Sequence, residues 1–223
     1  MGEFIYANFL IKVNPANYLK IKNKIPSNVN ILAVSKGFKS QEIKTIQKIG
    51  QNDFGESKVQ EAFEKQLTLK DFKNINWHFI GRIQSNKIRK IVQNFKYIHS
   101  VDSFEKLQKI SNISFEEKKN PLIMLQVKFS DDPTKGGFNP EALVSKWREI
   151  KELKNITLTG LMTINPKGIS SKENLELFKK CRFLADSLQL PDCSMGMSGD
   201  WEEAIEAGST WLRLGSLIFG DRF

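Results

Sequence analysis

A lysine stands directly behind an apolar run near the start of the chain. The run covers Ile31 to Ser35, and it brings Lys36 to the end of a predicted strand. Most lysines are exposed to solvent, because burying an unpaired ammonium group costs free energy. A lysine held at the mouth of a pocket loses part of its hydration, which lowers its pKa and favours the nucleophilic amine. Lys36 is therefore a candidate nucleophile.

Polar residues near the C-terminus have the types needed to bind an anion. Ser198-Gly199-Asp200 precedes a predicted helix that begins near Trp201. Arg213, Gly215 and Ser216 lie in the last predicted strand region. Free N–H groups at a helix start attract anions, and glycine lets an anion approach the backbone. Two alternatives remain open, because Ser198 also suits a helix cap and Arg213 also suits a structural ion pair.

Eight strand-like runs alternate with helical patterns and must position these residues. Strand–helix alternation indicates a parallel sheet, and several runs are continuously apolar, as in strands that are covered on both faces. Eight such units close as a (β/α)8 TIM barrel, whose sites lie at the C-terminal ends of the strands. An open, doubly wound sheet is the alternative fold. The predicted strands are Ile31–Ser35, Asp53–Gly55, Trp77–Gly81, Tyr97–Val101, Leu122–Phe129, Leu158–Ile164, Ser194–Met197 and Trp211–Phe219.

Helix signals separate the strands. Ser40 and Ser85 are predicted N-caps, and Asn139-Pro140 places proline at the first position of a helix that continues through Leu153. Ser171 is predicted to open the next helix, which turns Leu177, Cys181, Leu184 and Leu188 inward.

The two ends of the chain receive separate predictions. The chain stops four residues after the last predicted strand, so no helix is expected there. Residues 1–24 are predicted to form an N-terminal segment that covers the barrel in place of a helix after the last strand. The segment is predicted to be helical from about residue 3, with an interruption at Pro15. No internal repeat or linker appears, so residues 1–223 are interpreted as one domain.

The net charge of the chain bears on whether the protein binds nucleic acid. The 34 Lys and Arg residues outnumber 25 Asp and Glu, which gives a net charge of +9. The basic residues are scattered among acids, whereas nucleic-acid-binding proteins cluster them. The densest run, residues 87–90, falls in a helical pattern, where a solvated outer face explains it. A nucleic-acid-binding protein therefore stays a distant alternative, and no nucleic-acid partner is predicted.

Other sequence features indicate a cytoplasmic location. The chain contains two cysteines, Cys181 and Cys193, without the spacing of a zinc site, and their number suits a reducing compartment. No run of about 18 apolar residues suggests a membrane span. Residues 1–10 lack the basic start and apolar run of a secretory signal.

Seven segments, taken in order, resemble the family of pyridoxal phosphate homeostasis proteins. The similarity extends from about residue 31 to residue 222, which is nearly the whole chain. Each segment is weak by itself, and the ordered set is highly specific. The segments are Ala33-Val34-Ser35-Lys36, Phe54-Gly55-Glu56, Trp77-His78-Phe79-Ile80-Gly81, Gln84-Ser85-Asn86-Lys87, Gly160-Leu161-Met162, Ser194-Met195-Gly196-Met197-Ser198 and Arg213-Leu214-Gly215-Ser216-Leu217-Ile218-Phe219-Gly220.

The resemblance implies a barrel like the N-terminal domain of alanine racemase with pyridoxal phosphate as its cofactor. It implies a Schiff base on Lys36 and places Arg213 opposite the pyridine nitrogen, where an arginine keeps that nitrogen unprotonated. It assigns the phosphate to Ser198 and Gly199 with the backbone of Gly215 and Ser216. No role is assigned to His78. The sequence departs from the family pattern at Ser57-Lys58, at Arg82 and at Lys135-Gly136-Gly137.

The resemblance also implies a carrier rather than an enzyme. The predicted function is to bind pyridoxal phosphate without turnover and to support vitamin B6 homeostasis, with pyridoxal phosphate-dependent apo-enzymes as candidate partners. The alternative is an amino-acid racemase or another enzyme on the same barrel. A racemase needs a second acid/base, a tyrosine in alanine racemase, and none of Tyr6, Tyr18 and Tyr97 lies in a motif at a strand C-terminus. The absence of a second domain favours a monomer.

Overall fold

Eight short segments form parallel strands that close into a barrel in which each strand pairs with the next and β8 pairs with β1. The computed structural model describes residues 13–130 and 136–220. The closed barrel confirms the predicted (β/α)8 fold and excludes the open sheet. Its strands are β1 (Asn30–Val34), β2 (Asp53–Glu56), β3 (Asn76–Phe79), β4 (Tyr97–Val101), β5 (Leu122–Gln126), β6 (Thr157–Met162), β7 (Asp192–Ser194) and β8 (Trp211–Leu214).

Helices fill every connection between consecutive strands and cover the outside of the barrel. Their inward faces are apolar and pack on the strands, which is why the strand faces that meet the helices are apolar. The helices are α1 (Pro15–Lys22), α2 (Ser40–Gln47), α3 (Val59–Thr68), α4 (Ile88–Asn94), α5 (Phe104–Glu116), α6 (Pro140–Ser145), α7 (Trp147–Glu152), α8 (Ser171–Ser187), α9 (Trp201–Glu206) and α10 (Ser216–Phe219), with a 3-10 turn at Ser85–Lys87 before α4.

The last predicted strand is too long, and the expectation that no helix follows it is wrong. β8 ends at Leu214, and the carbonyl oxygen of Gly215 accepts hydrogen bonds from the N–H groups of Ile218 and Phe219. Apolar periodicity cannot distinguish a short buried helix from the end of a buried strand. The resulting helix α10 packs against α1, and Phe219 stacks on Phe38 with ring centroids 4.8 Å apart.

Other predicted strands also need correction at their ends. β5 ends three residues before the predicted limit at Phe129, and β3 and β6 each end two residues before the predicted limits at Gly81 and Ile164. The limits of β1 and β2 differ from the prediction by a single residue. β7 starts two residues and ends three residues earlier than predicted, because Gly196 has a φ of +89° and turns the chain after Met195. That glycine is required, since a Cβ there would lie 2.5 Å from the Cβ of Ala204.

The predicted helix starts are partly confirmed. Asn139 caps α6, because its Oδ1 accepts the N–H of Ala142 at 3.1 Å. Ser40 and Ser85 are the first residues of their elements and make no capping bond in the described chain, so both cap predictions are wrong. α8 begins at Ser171 as predicted, whereas its cap is Ser170.

Two helices differ from the prediction in extent. The helix expected from Pro140 through Leu153 is divided at Lys146 into α6 and α7. In the N-terminal segment, Pro15 does not interrupt a helix but begins α1, with Asn14 as its cap, because proline is favoured at the first helical position. The part of that prediction before residue 13 lies outside the described residues. No helix among those described has the length and apolar character needed to cross a membrane.

Candidate functional site

A cavity of about 490 Å³ opens at the C-terminal ends of the strands. All six residues that the sequence predicts as a site line it, although they come from β1, from the loop after β7 and from the β8 region. Its walls are otherwise mostly apolar, and its volume lies within the usual range for ligand pockets, roughly 300–1,000 Å³. The lining residues are Lys36, Ser198, Gly199, Arg213, Gly215 and Ser216, together with Val34, Ile80, Met162, Ile164, Lys167, Met197 and Gly220.

Lys36 lies two residues beyond the end of β1 and is half-buried. The chain turns immediately after it, with a φ of +81° at Gly37 and a hydrogen bond of 3.0 Å from the N–H of Phe38 to the carbonyl oxygen of Ser35. A second lysine, Lys167, reaches the same cavity from the segment after β6 and is exposed. Nothing in the sequence singled out Lys167, because no recognised motif lies between Met162 and Ser194.

A buried ion cluster holds the backbone on both sides of Lys36. Lys65 donates to the carbonyl oxygen of Ser35 at 2.8 Å and to Glu56 Oε1 and Glu61 Oε1 at 2.7 Å each. Ser35 Oγ donates to the same Glu56 oxygen at 2.6 Å, and Glu61 accepts the N–H of Gly37. The Phe54-Gly55-Glu56 motif pointed to this strand, whereas Lys65 and Glu61 were missed because they belong to the amphipathic pattern of α3.

Opposing effects act on the pKa of the Glu56 carboxyl group. Burial raises its pKa above the ordinary value, and the adjacent Lys65 ammonium group and the Ser35 hydroxyl only partly oppose that shift. Its Oε2 atom is buried and makes no hydrogen bond among the described residues. The pKa of Glu61 is lowered, since its bonds to Lys65 and to the Gly37 N–H outweigh a desolvation effect that raises it.

Ser198 connects the loop after β7 to the chain after β8. Its Oγ accepts long hydrogen bonds from the N–H groups of Gly215 at 3.4 Å and Leu217 at 3.5 Å. The residue at the cap position of α9 is Asp200, so the alternative that Ser198 caps this helix is wrong. Asp200 instead turns back and accepts the N–H of Met197 at 2.5 Å. The N–H of Ser216 has no acceptor among the described residues.

Arg213 is buried in the barrel wall beneath the cavity. Its Nη1 donates to the carbonyl oxygen and the hydroxyl of Ser194, the latter at 3.0 Å, and its Nη2 donates to the carbonyl oxygen of Thr163 at 2.8 Å. Burial lowers the pKa of Arg213 to about 10, so the guanidinium stays charged at neutral pH. It makes no ion pair in the described part of the chain, which removes the structural ion-pair alternative.

His78 lies below Arg213 in the barrel interior and has no solvent exposure. Its Nδ1 is 2.9 Å from Nε2 of the equally buried His99, and its Nε2 is 3.0 Å from Oδ1 of Asp53. His99 Nδ1 in turn is 3.0 Å from Ser194 Oγ. Sequence reasoning assigned no role to His78. It did not single out His99 or Asp53, nor the hydrogen bond between Ser194 and His99.

Part of the densest basic run borders a second, smaller cleft. The cleft has a volume of about 310 Å³, and Lys58, Arg82, Lys87 and Lys90 line it. Arg89, from the same run, instead forms ion pairs with Glu116 and Glu117. Four basic side chains therefore border a small depression, and the charge of Arg89 beside it is neutralised by the two glutamates.

Comparisons with known proteins agree with this arrangement. The family model described as "Alanine racemase, N-terminal domain" matches residues 15–223. A pyridoxal phosphate homeostasis protein from Synechocystis sp. is 43% identical over 94% of this chain and 99% of its own length. Another from Pseudomonas aeruginosa is 39% identical over 88% of this chain and 86% of its own length.

Solved structures show the same fold. PipY of Synechococcus elongatus, solved with PLP bound, is 37% identical, with a TM-score of 0.89 over 92% of this chain and 99% of that chain. An alanine racemase from Clostridium difficile has a TM-score of 0.76 at 18% identity over 91% of this chain and 55% of that chain, which shows similarity of fold alone.

Proposed function

This chain belongs to the family of pyridoxal phosphate homeostasis proteins, and we propose that it holds pyridoxal phosphate in reserve through Lys36 without turning over a substrate. The aldehyde of pyridoxal phosphate condenses reversibly with a lysine amine to form a Schiff base. A protein that binds the cofactor in this way limits its reaction with other amines. The proposed role is a contribution to vitamin B6 homeostasis.

The observation that carries this proposal is the placement of Lys36 in one cavity with hydroxyl groups, free backbone N–H and a buried guanidinium. These groups fit the three polar parts of pyridoxal phosphate, which are its aldehyde, its phosphate and its ring nitrogen. Apolar side chains such as Met162 and Ile164 border the space where the ring would lie. Without Lys36, the same cavity would suit many phosphate esters.

The phosphate is assigned to the cup formed by Ser198, Gly199, Gly215 and Ser216. The Ser216 N–H is available for an anion, and the Ser198 hydroxyl, which accepts two backbone N–H groups, keeps its own hydrogen for donation. A Cβ at Gly199 would meet nothing within 4 Å, so open space adjoins the backbone there. This supports close approach of an anion to the main chain.

Arg213 is assigned to the ring nitrogen. Three of its five N–H hydrogens donate to Ser194 and Thr163, which leaves one on Nη2 and the one on Nε outside these bonds. A charged guanidinium donates to the pyridine nitrogen and keeps it unprotonated, so the ring is a poorer electron sink than one paired with a carboxylate. This counts against transaminase-type chemistry, whereas storage and racemisation are separated by the acid/base groups of the site.

The positions of the tyrosines also favour storage over racemisation. The Tyr18 hydroxyl donates to Gln51 at 2.9 Å, and Tyr97 stacks on His78 at the start of β4. Neither lines the cavity, and Tyr6 lies outside the described residues. An amino-acid racemase or a related enzyme remains the alternative function, because an acid/base on the second face of a substrate need not be a tyrosine.

We further propose a cytoplasmic monomer, with residues 1–223 acting as one cofactor-binding domain that exchanges cofactor with pyridoxal phosphate-dependent apo-enzymes. Both cysteines are buried and free of disulfides, which suits a reducing compartment. The nucleic-acid alternative has less support, because the basic cleft is small and Arg89 beside it is paired with acids.

The decisive experiment is to load the protein with pyridoxal phosphate, reduce it with borohydride and map the modified lysine by mass spectrometry. Lys167→Ala is the matched control, because Lys167 lines the same cavity as Lys36. We expect the reduced adduct on Lys36 in the wild type and in Lys167→Ala, and loss of the bound absorbance in Lys36→Ala with the fold intact. An adduct mainly on Lys167 or Lys87 would overturn the assignment.

A further inference from the structure

A continuous chain of hydrogen bonds, buried except at its Asp53 end, joins Asp53 to Arg213 across the barrel. The bonds run from Asp53 to His78 (3.0 Å), from His78 to His99 (2.9 Å), from His99 to Ser194 (3.0 Å) and from Ser194 to Arg213 (3.0 Å). These residues lie on β2, β3, β4, β7 and β8. The chain therefore crosses the interior between β4 and β7 and ends at the cofactor cavity.

With both imidazoles neutral, the two ends of this chain fix the direction of every donor. An arginine only donates, and a carboxylate only accepts. Arg213 therefore donates to Ser194 Oγ, and the Ser194 hydroxyl donates to His99 Nδ1. His99 Nε2–H then donates to His78 Nδ1, and His78 Nε2–H donates to Asp53. One tautomer of each histidine, with the hydrogen on Nε2, satisfies all four bonds.

The environment keeps both imidazoles neutral, as this pattern requires. Burial lowers the pKa of His78, although its bond to Asp53 opposes that shift. Burial lowers the pKa of His99 further, and the nearby His78 and Arg213 lower it in addition. Protonation of either ring would leave a hydrogen on His99 Nδ1, which would turn the Ser194 hydroxyl hydrogen away from His99.

Aromatic side chains enclose the two histidines, which have no solvent exposure, and prevent water from replacing them. Tyr97 stacks on His78 with ring centroids 4.0 Å apart and an interplanar angle of 1°. Trp211 contacts both histidines, with centroids 5.1 Å from His78 and 6.1 Å from His99. A buried polar network whose members are all satisfied holds its groups in one arrangement.

We propose that His78 and His99 are positioning residues, which act through Ser194 to hold the Arg213 guanidinium with its remaining hydrogens directed at the ring nitrogen of the cofactor. The inference rests on the proposed function. Ser194 Oγ accepts one Nη1 hydrogen and the Ser194 carbonyl accepts the other, so the orientation of that hydroxyl decides whether Nη1 is fully engaged by the wall. His99 sets that orientation by accepting the hydroxyl hydrogen.

The competing explanation is that these hydrogen-bonded side chains only fill the barrel interior. In that case replacement of His99 would change stability and would affect every ligand equally. Three variants separate these explanations. Ser194→Ala removes one hydroxyl, His99→Leu removes both imidazole nitrogens, and His99→Asn keeps an acceptor near the position of Nδ1.

The binding test compares pyridoxal phosphate with its 1-deaza analogue, in which a C–H replaces the ring nitrogen. We expect Ser194→Ala and His99→Leu to weaken binding of pyridoxal phosphate about fivefold or more, which is the effect of one hydrogen bond. Binding of the analogue should change less than twofold, and His99→Asn should recover most of the loss. Equal losses for both ligands, or no loss for either, would overturn the proposal.

A test on the protein without cofactor separates this inference from the proposed function. Nitrogen-15 NMR should show both histidines as neutral Nε2–H tautomers at pH 7. The Arg213 Nη hydrogens should exchange slowly with water in the wild type and faster in Ser194→Ala. A Nδ1–H tautomer at His99, or unchanged Arg213 exchange, would overturn the chain even if Lys36 binds the cofactor. Failure of Lys36 to react would refute the function and leave these signals unaffected.

Discussion

Lys65 Nζ lies 2.8 Å from the carbonyl oxygen of Ser35, the residue before Lys36. Lys65 belongs to α3 on the outside of the barrel and is nevertheless buried, because its side chain passes between Glu56 and Glu61. A charge buried between two carboxylates is stable only while the partners remain together. The loop that presents Lys36, the proposed cofactor lysine, is therefore tied to a second lysine 29 positions later in the chain.

Lys65→Met is expected to destabilise the protein and to weaken the reaction of Lys36. Removing one member of a buried ion pair leaves the Glu56 charge uncompensated, which typically costs about 3–5 kcal/mol in the free energy of unfolding. Urea unfolding measures the first effect, and titration with pyridoxal phosphate measures the second. Lys58→Met is the control, since Lys58 is exposed at the start of the same helix. Equal behaviour of the two variants would contradict the prediction.

Changes in the phosphate cup should distinguish pyridoxal phosphate from pyridoxal. Ser198→Ala is expected to weaken binding of pyridoxal phosphate by about 1 kcal/mol, the contribution of one hydrogen bond. Gly215→Val should weaken it more, because a branched side chain would enter the phosphate space, although a Cβ alone is tolerated with its nearest atom, Val34 O, at 3.6 Å. Binding of pyridoxal, measured by fluorescence, should change little. Negligible effects of both substitutions on the affinity for pyridoxal phosphate would contradict the assignment of the phosphate to this cup.

The free energy of unfolding should fall as pH is lowered through about 6.5. His78 and His99 are the only histidines, and burial holds both pKa values below 6.5 in the folded state. The unfolded chain therefore binds protons that the folded chain excludes. Each histidine should contribute up to about 1.4 kcal/mol per pH unit between 6.5 and its lowered folded pKa, and the full stability is present above that window.

Urea unfolding between pH 7.5 and 5.5 measures this effect. The control is a His78→Asn, His99→Asn double variant, which contains no titrating imidazole. The raised pKa of Glu56 changes the free energy of unfolding with pH in the opposite direction. Glu56 is present in both the wild type and the double variant, so its effect cancels in the comparison. A wild-type slope no steeper than that of the double variant would show that the histidines are not held neutral.

Turnover of amino acids should be absent. Racemisation requires removal of a proton on one face and delivery on the other, and a missing general acid or base typically costs a factor of about 10²–10⁴ in rate. Incorporation of solvent deuterium at Cα, followed by mass spectrometry over a panel of amino acids, should not exceed that with free pyridoxal phosphate. Multiple turnovers that depend on Lys36 would reject the carrier function and favour the racemase-like enzyme.

The sequence by itself determined the barrel and the six cavity residues. Apolar strand runs are local features, and parallel strands bring their C-terminal ends to one face, so Lys36 and Arg213 were predicted to meet although 177 positions separate them. The ordered family segments added the identity of the cofactor. Local signals were less reliable at element ends, as at Ser216, where a short buried helix has the same apolar pattern as a strand.

Only the tertiary structure decided how these residues are held. Lys65 is part of an ordinary helical pattern, and His78 and His99 are ordinary strand residues, so no spacing distinguishes them. Their roles depend on pairs that lie on different strands and helices, such as Lys65 with Ser35 and His99 with Ser194. Closing of the barrel sets these distances, and burial then gives the contacts their strength, because charges and hydrogen bonds interact more strongly away from water.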